Sequence, residues 1–436
     1  MKVVGLFQIC LMKKIFCLLY FLLVSIVLFA QRNPDETYMP QVKGIKLFVH
    51  GEQMTYPIIN LGSTSTLELH FDDLDGNIKN YSYTYQLCDA GWQPIDLNPL
   101  DYLQGFTQNR LNQYRVSSIA KVKYIHYQAI LPERNCIPTK SGNYLLKVFL
   151  NGDTSRLAFT RRMLVLDNKV PIALKVMQPY NSQLMTTYQK VQFSIDKTSL
   201  NILNPQQQLK VVVLQNYRWD NAATNLQPVF MRQNIYEYNG EKDCLFPAGK
   251  EYRWADLRSF RYQSERIDNI NSYNTPFDVY MRPDPQRIQE RMLVTQDYDG
   301  FYAVSATDVN NAWWQGDYAN VHFTFRTGNQ QPIAGKDVFI LGEMTGNALN
   351  DSTKLKFNTE KGAYEISLLL KQGYYNYTYV TKDAKTKNAK PEMEFTEGDY
   401  WETENSYTVL VYYRSLGDRY DALLGVATVN SRFGKQ

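Results

Sequence analysis

The chain has 436 residues, of which 14% are aromatic and 21% are charged. The formal net charge of +4 includes the three lysines of the first 30 residues, so the remainder is nearly neutral. It therefore lacks the basic stripe or patch on which nucleic-acid binding depends. Aromatic side chains pack well on pleated, half-buried surfaces, so their abundance favours β-strands.

The first 30 residues have the layout of a secretory signal peptide. Lys13 and Lys14 precede an apolar run over residues 15–30, which ends in a small residue before the polar Gln31. This order of segments predicts a cleavable signal peptide over residues 1–30. A membrane anchor is the alternative, although the run is shorter than the roughly 20 apolar residues that span a bilayer. Because position 31 is not a cysteine, no lipid anchor is predicted, and we expect an exported chain.

Three cysteines, Cys88, Cys136 and Cys244, lie beyond this segment. An odd number excludes a complete disulfide framework. The sequence is compatible with a bridge between Cys88 and Cys136 in an oxidising compartment, and equally with buried free thiols.

Residues 31–167 are predicted to form a first immunoglobulin-like β-sandwich domain. Short runs of alternating polar and apolar residues follow one another there between turn signals, which is typical of strands. Several such strands within about 130 residues indicate a sandwich. The runs lie near 45–49 and at 67–71, 81–87, 124–131, 141–148 and 159–166.

Two further β-rich domains are predicted, at 168–328 and 329–436. The first of these has long polar, aromatic loops near 216–275, and the second resembles an early-set sandwich through residues 338–342 and a hairpin at Gly373. No helix longer than two turns is predicted beyond the signal segment. The predicted strands are 190–195, 209–215, 277–281 and 321–325 in the second domain, and 338–341, 364–370, 374–380 and 407–413 in the third.

The sequence offers no motif for catalysis or for cofactor binding. The four histidines are His50, His70, His126 and His322, and no two lie within four residues of each other. Neither a G-x-S-x-G elbow nor a phosphate-binding G-x-x-x-x-G-K loop occurs. His70 and His126 fall in alternating runs, so they are predicted to be ordinary strand-face residues. No catalytic residue, cofactor or metal ligand is therefore predicted.

Two acidic turns invite comparison with calcium loops. The segments 73–76 and 297–300 both read Asp-x-Asp-Gly, which matches three positions of an EF-hand loop. Both lack the first carboxylate and the final glutamate of that loop, so hairpin turns are predicted and a bound cation is the alternative. Glu402 and Glu404 could be proposed as glycosidase carboxylates, but a solvated surface is predicted for them.

Two aromatic clusters, Trp313-Trp314 and residues 374–379, carry a second ambiguity. In an alternating strand one set of rings faces outward, where tyrosine and tryptophan can anchor a protein partner or stack on a sugar. A packed aromatic core is the alternative, and we predict it for these clusters.

Short segments follow one another in order through nearly the whole chain after the signal segment. They are PIINLGS (57–63), LHFDDL (69–74), CDAGW (88–92), YLQGF (102–106), SGNY (141–144), EYRWADLRS (251–259), DYDGF (297–301), KQGYYNY (371–377), VYYR (411–414) and GDRY (417–420). Single segments are weak, but the ordered series resembles the plug protein family of the type IX secretion system. Gly91 departs from the acidic or polar residue that the resemblance leads us to expect in its turn.

The resemblance implies a non-enzymatic periplasmic protein that binds the periplasmic side of a giant outer-membrane translocon barrel and occludes its pore. Such a protein would act through protein–protein contact and bulk, without a cofactor. The resemblance assigns no individual contact residue, so the partner-binding residues stay unknown at this point. The alternative function is a periplasmic or surface glycan-binding β-sandwich protein.

Overall fold

The computed structural model describes residues 34–290, 297–386 and 389–432, and the predicted signal peptide over residues 1–30 lies outside them. Nearly all regular structure in this part of the chain is β, arranged as three packed sandwiches. This confirms the predicted all-β fold of tandem sandwich domains.

The first sandwich packs a four-stranded sheet, β1-β3-β8-β7, against a five-stranded sheet, β2-β11-β10-β4-β6, with β5 and β9 paired beside them. Its strands are β1 (Val42–Val49), β2 (Ile58–Asn60), β3 (Leu67–Asp73), β4 (Tyr81–Cys88), β5 (Leu103–Gly105), β6 (Asn109–Arg110), β7 (Gln113–Val116), β8 (Ile125–Leu131), β9 (Cys136–Pro138), β10 (Gly142–Leu150) and β11 (Leu157–Leu166).

Alternation along β4 explains the core of the first sandwich. Tyr81, Tyr83 and Tyr85 point inward and are fully buried, whereas Ser82 and Thr84 between them face outward. Large rings contribute much buried apolar area, and neighbouring rings meet edge-to-face, an arrangement that aromatic quadrupoles favour. The alternation of apolar and polar residues along this strand thus shows which of its faces is buried.

The second sandwich packs β12-β13-β17-β16, with β18 also on β13, against β15-β14-β29-β30. Its strands are β12 (Ile172–Met177), β13 (Tyr188–Asp196), β14 (Leu209–Gln215), β15 (Arg218–Ala223), β16 (Phe230–Arg232), β17 (Ile235–Tyr238), β18 (Leu245–Pro247), β29 (Ser406–Tyr413) and β30 (Ala422–Asn430).

The third sandwich packs β19, β23 and β25, which all pair with β28, against the sheet β20-β21-β24-β27-β26, with β22 also on β24. Its strands are β19 (Arg253–Asp256), β20 (Ile267–Asn271), β21 (Phe277–Met281), β22 (Asp284–Pro285), β23 (Tyr302–Val304), β24 (Tyr318–Arg326), β25 (Lys336–Leu341), β26 (Lys356–Asn358), β27 (Ala363–Lys371) and β28 (Gly373–Asp383).

Strand pairing does not follow the predicted boundary between residues 328 and 329. β24 lies before that boundary and pairs with β27 after it, while β29 pairs with β14 from Leu209 to Gln215. We therefore propose a revised division, in which the chain leaves the second sandwich after β18, builds the third from β19 to β28, and returns. Adjacent sequence could not reveal this, because β14 and β29 are separated by nearly 200 residues.

Helices are short, as the sequence predicts. Within the described residues they are α1 (Pro205–Gln208), α2 (Ala312–Gln315) and single 3₁₀ turns at Pro99–Asp101 and Glu343–Thr345. No helix of the described part is long and apolar enough to cross a membrane.

The first and second sandwiches share a buried apolar interface. The outer face of β4, β10 and β11 packs against β14, β29 and β30, and the Tyr412 hydroxyl donates to the Asn143 side chain at 2.8 Å. Cys88 lies in this interface, while Cys136 and Cys244 lie in the first and second cores, and all three are free thiols. The interface consists of Cys88, Ala90, Trp92, Leu145, Leu164, Leu166, Val212, Leu214, Leu410, Tyr412 and Leu423.

Candidate functional site

The first and third sandwiches meet at a buried polar cluster, called here the junction cluster: His70, Asp72, His126, Trp313 and Lys371. The Lys371 ammonium donates to the Asp72 carboxylate and to the Trp313 carbonyl, each at 2.5 Å. Asp72 also bonds the His126 ring at 2.7 Å, and His126 bonds His70 at 3.1 Å. The His70 ring stacks on Trp313 with centroids 3.8 Å apart. Both histidines lie on strand faces as predicted, but the third sandwich covers that face.

Burial sets the charge state of the junction cluster. Desolvation lowers the pKa of His70 to about 3 and also lowers the pKa of His126, so both rings are neutral at pH 7. Burial alone would raise the pKa of Asp72, yet Lys371 and His126 hold it below its usual value. The junction cluster therefore consists of one ion pair, between Asp72 and Lys371, which is hydrogen-bonded to neutral histidines. Its polar groups bond one another and not solvent. Such an arrangement fixes the relative position of two units.

A second set of contacts runs along the same junction. Lys46 on β1 forms a buried ion pair with Glu343, and the Tyr302 hydroxyl donates to the Ile45 carbonyl at 3.1 Å. The Gln53 amide bonds both backbone groups of Val304, at 2.8 and 3.2 Å. Because these contacts join the first sandwich to the third, relative movement of the two would break them together.

The acidic turn at Asp73–Gly76 leads from β3 to β4, which lie in the two different sheets of the first sandwich. Lys79 pairs with Asp73 and with Asp75, and the Tyr81 hydroxyl donates to Asp73 at 2.7 Å. The Asp75 backbone N–H also donates to Asp73 at 3.0 Å. Protein donors therefore occupy these carboxylates. The predicted hairpin is wrong, because β3 pairs with β1 and β8 whereas β4 pairs with β10 and β6, so the turn crosses from one sheet of the sandwich to the other.

The second acidic turn has a different environment. Asp297 and Asp299 come together with Glu404, so that one carboxylate oxygen of each lies within 4.8 Å of the others. Glu402 is exposed, as the predicted solvated surface requires. That prediction is wrong for Glu404, which is half-buried, because the third sandwich packs its acidic turn against the loop that precedes β29.

The aromatic clusters pack mainly inward. Tyr375, Tyr377 and Tyr379 on β28 are buried in the third core. Trp313 belongs to the junction cluster, and the Arg115 guanidinium lies over the Trp314 ring at 4.6 Å. The packed-core interpretation therefore holds for the strand, and the tryptophan pair serves the contact between two sandwiches.

A serine, a histidine and an aspartate line up across the third sandwich. His322 bonds Ser367 at 2.7 Å through Nδ1 and Asp278 at 3.0 Å through Nε2, and Tyr280 stacks on its ring at 4.4 Å. Sequence reasoning did not connect these three, which lie on adjacent strands. They occupy the solvent-facing side of the sheet, with Ser367 exposed. In hydrolases, by contrast, such a serine lies within a substrate site, beside hydrogen-bond donors aimed at the oxyanion that develops during the reaction.

The comparisons with known proteins agree with the fold. Residues 42–167 match the family model described as the type 9 secretion system plug protein first domain. A crystal structure of a hypothetical protein from Parabacteroides merdae is 32% identical, with a TM-score of 0.87, over 91% of this chain and 98% of that one. The chain belongs to the type IX secretion system plug protein family. No match was found among the curated proteins.

Nearly all of the first sandwich of this plug family member, from β1 to β11, falls within the matched range. That range carries the first-sandwich half of the junction cluster, His70, Asp72 and His126. The similarity to the Parabacteroides merdae structure extends over all three sandwiches. The chain is thus a component associated with the type IX secretion system, built as one three-part block.

This member of the family also presents a strip of exposed apolar side chains, called here the aromatic strip: Val116, Ile119, Tyr262 and Tyr273. Their exposure ranges from 59% to 96%. Ile119 and Tyr262 line one cleft, and Lys121 from the first sandwich bonds the Ser272 carbonyl beside Tyr273. The strip therefore crosses from the first to the third sandwich. Sequence analysis missed it because its members are isolated residues, mostly in loops.

Proposed function

We propose that this protein is a periplasmic plug, which binds the periplasmic side of the large outer-membrane translocon barrel and occludes its pore without catalysing a reaction. Membership of the plug family carries this proposal. A pore wide enough for folded cargo would leak solutes, so it needs a blocker of comparable bulk. The protein would reach the periplasm with the predicted signal peptide over residues 1–30.

The physical design supports blocking by bulk. Each of the three sandwiches has its own core, and the first is joined to the second by apolar packing and to the third by buried ion pairs. Interior packing of this kind is resistant to compression and resists deformation. A block whose parts cannot slide past one another can close an opening without a chemical step.

Deleting the gene tests the proposal directly. We expect the translocon to assemble in the deletion strain, while the outer membrane becomes permeable to large antibiotics that wild-type cells exclude. Affinity purification of the tagged protein should recover a very large outer-membrane barrel. Unchanged permeability together with no co-purifying barrel would contradict the proposal, and specific retention on a polysaccharide column would favour the glycan-binding alternative.

The aromatic strip is the surface that we propose contacts the translocon. Tyrosine and other large side chains are enriched in the energetically dominant centre of protein interfaces. A strip that spans two sandwiches would also bind only when their relative position is kept. This makes the contact sensitive to the intact fold as well as to the side chains.

Replacing both Tyr262 and Tyr273 by alanine should weaken recovery of the barrel at least tenfold, because hot-spot side chains commonly contribute about 2 kcal/mol or more. Quantitative pull-down from outer-membrane extracts measures this. Tyr180→Ala is the matched control, because Tyr180 is similarly exposed but lies in the second sandwich. Equal losses in both variants would show that the strip has no special role.

A further inference from the structure

A cluster of acidic side chains lies where the second and third sandwiches meet. Asp297 and Asp299 belong to the turn before β23 in the third sandwich, and Glu404 belongs to the loop before β29 in the second. One carboxylate oxygen of each lies within 4.8 Å of the other two. Three anionic groups at this separation repel one another strongly unless a positive charge or protons lie between them.

Two buried oxygen atoms beside this cluster have no hydrogen-bond partner within residues 34–290, 297–386 and 389–432. They are Oδ1 of Asp299 and Oε1 of Glu251. Glu251 is only 3% exposed, and its carboxyl lies against the backbone N–H of Glu404 and is close enough to Asp297 to act on its charge. Buried polar atoms are almost always satisfied in folded proteins, so an orphan pair at one place indicates a missing partner.

The remaining contacts leave ligand positions open. Asp297 accepts backbone N–H groups from Tyr252 and from Asp299, the latter at 3.1 Å, and the Asn430 amide donates to Glu404. Each carboxylate oxygen has two lone pairs, so single hydrogen bonds do not exhaust them.

Among the residues that the structure describes, two arginines act on this group of acids, and neither is dedicated to it. Arg432 acts on Glu404 and Glu251 from an exposed position. Arg287, which also acts on Glu251, is engaged by Glu397 at 2.6 Å.

We infer that Asp297, Asp299 and Glu404, with the buried Glu251 carboxyl beside them, form a calcium site that links the second sandwich to the third. All the donors are oxygens, which hard cations prefer, and no histidine or cysteine is present among them to favour zinc. Ca²⁺ accepts irregular arrangements of carboxylates, whereas Mg²⁺ demands a near-ideal octahedron. The ion would neutralise the repulsion and join the two sandwiches.

Charge balance is consistent with this assignment. Burial, followed by neighbouring acids, raises the pKa of Asp297 to about 7 and that of Asp299 well above its usual value. Both shifts reflect the cost of keeping these carboxylates charged in a buried place without a cation, a cost that a bound cation would offset.

The experiment measures Ca²⁺ binding to the purified full chain after treatment with EDTA. We expect Ca²⁺ at millimolar concentration to raise the melting temperature by several degrees, because a ligand that binds only the folded state stabilises it. Terbium, a Ca²⁺ substitute, should show tyrosine-sensitised luminescence that Ca²⁺ displaces. Affinities of about 10⁻⁴–10⁻³ M are typical of extracellular calcium modules.

Asp299→Asn should weaken Ca²⁺ binding at least tenfold, while Glu402→Gln, which alters an exposed acid two residues from Glu404, should bind like the wild type. In EDTA the Asp299→Asn variant should be at least as stable as the wild type, because it relieves repulsion. That measurement shows that loss of binding does not reflect misfolding. A wild-type chain with neither a Ca²⁺-dependent melting shift nor terbium luminescence would overturn the inference and leave shared protons as the neutralising charge. Neither result bears on whether the protein plugs a pore.

Discussion

Glu397 is the centre of a buried charge network in the third sandwich. Its two carboxylate oxygens accept from Arg253 at 2.9 and 2.8 Å and from Arg287 at 2.6 Å. Arg253 is shared with Asp284 at 3.0 Å, and the Tyr379 backbone N–H also donates to Glu397, at 3.2 Å. Every charge in the network has an opposite partner, so removing one member leaves others unpaired in a dry environment.

Glu397→Gln should therefore destabilise the protein by about 3–5 kcal/mol, the usual consequence of breaking a buried ion pair from one side. Chemical denaturation at pH 7 measures the change. Glu394→Gln is the control, because Glu394 is exposed on the same loop, and it should stay within roughly 0.5 kcal/mol of the wild type. Similar stability of the two variants would mean that the network contributes little.

The same side chain gives a pH dependence of defined sign. Burial opposes ionisation of Glu397, but the two arginines prevail and lower its pKa from 4.5 to about 2. A depressed carboxyl pKa stabilises the fold fully above the unfolded value and loses that stabilisation as the pH falls from about 4.5 to about 2. The stability advantage of the wild type over Glu397→Gln should shrink by about 3 kcal/mol across that window. A constant difference would contradict the assigned charge state.

At the level of elements, β29 and β30 are needed to complete the second sandwich. β29 pairs with β14 along seven residues, from Leu209 with Tyr413 to Gln215 with Tyr407. Val211, Val213 and Val409 belong to the same core. Without β29 and β30, the backbone groups of β14 lose their partners and the core is open to water.

A chain that ends before Ser406 should therefore fail to fold in its second sandwich. Limited proteolysis is expected to cleave residues 168–248 rapidly in this truncation, whereas a control chain that ends at Arg432 should resist. The truncation should also bind a hydrophobic dye, because the apolar face of the first sandwich around Leu164 loses its cover. Protection of residues 168–248 in the truncated chain would show that the second sandwich is independent of β29 and β30.

The sequence could predict strands where only one face is buried. The alternation at 81–87 marks β4 almost to the residue. β10 is buried on nearly every residue because one face lies in the first core and the other in the interface with the second sandwich. The turn signal Ser141-Gly142 predicted where β10 begins. The periodicity of the sequence could not predict which of its residues face the first core and which face the second sandwich.

The alternation of polar and apolar residues could not predict which residues pair across large separations in the sequence. Alternation states which residues are buried, but it does not state against what. Asp72 meets Lys371 across 299 positions, and Glu404 meets Asp299 across the boundary that the sequence placed between two domains. From its local segment alone, each histidine is predicted to be an ordinary strand-face residue and Glu404 a solvated surface residue. The fold instead places the histidines in the junction cluster and Glu404 in a candidate ion site.

At the level of the whole molecule, the first sandwich holds the other two together. One of its sheets packs against the second sandwich through apolar side chains, and the other meets the third through the junction cluster. Apolar contact is tolerant of small shifts, whereas an ion pair with fixed hydrogen bonds specifies one arrangement, a role that buried polar groups are known to serve in some proteins. We expect the junction cluster to determine whether the three sandwiches move as one body.

Lys371→Met tests this expectation. It leaves the Asp72 carboxylate, which is 1% exposed, without its cation, and should cost about 3–5 kcal/mol. Small-angle scattering should show a larger, more variable particle, because the first and third sandwiches separate. The double variant Asp72→Asn with Lys371→Met removes both charges and should recover most of the lost stability, which identifies the effect as a coupling between the two residues.

The same pair of variants separates blocking by rigid bulk from simple adhesion. If the plug closes the pore because its three sandwiches keep one shape, cells that carry Lys371→Met should leak large antibiotics even where the variant still co-purifies with the barrel. Cells with the double variant should regain the barrier, since the shape returns without either charge. A variant that is visibly loosened in solution yet seals the membrane as well as the wild type would mean that attachment alone closes the pore.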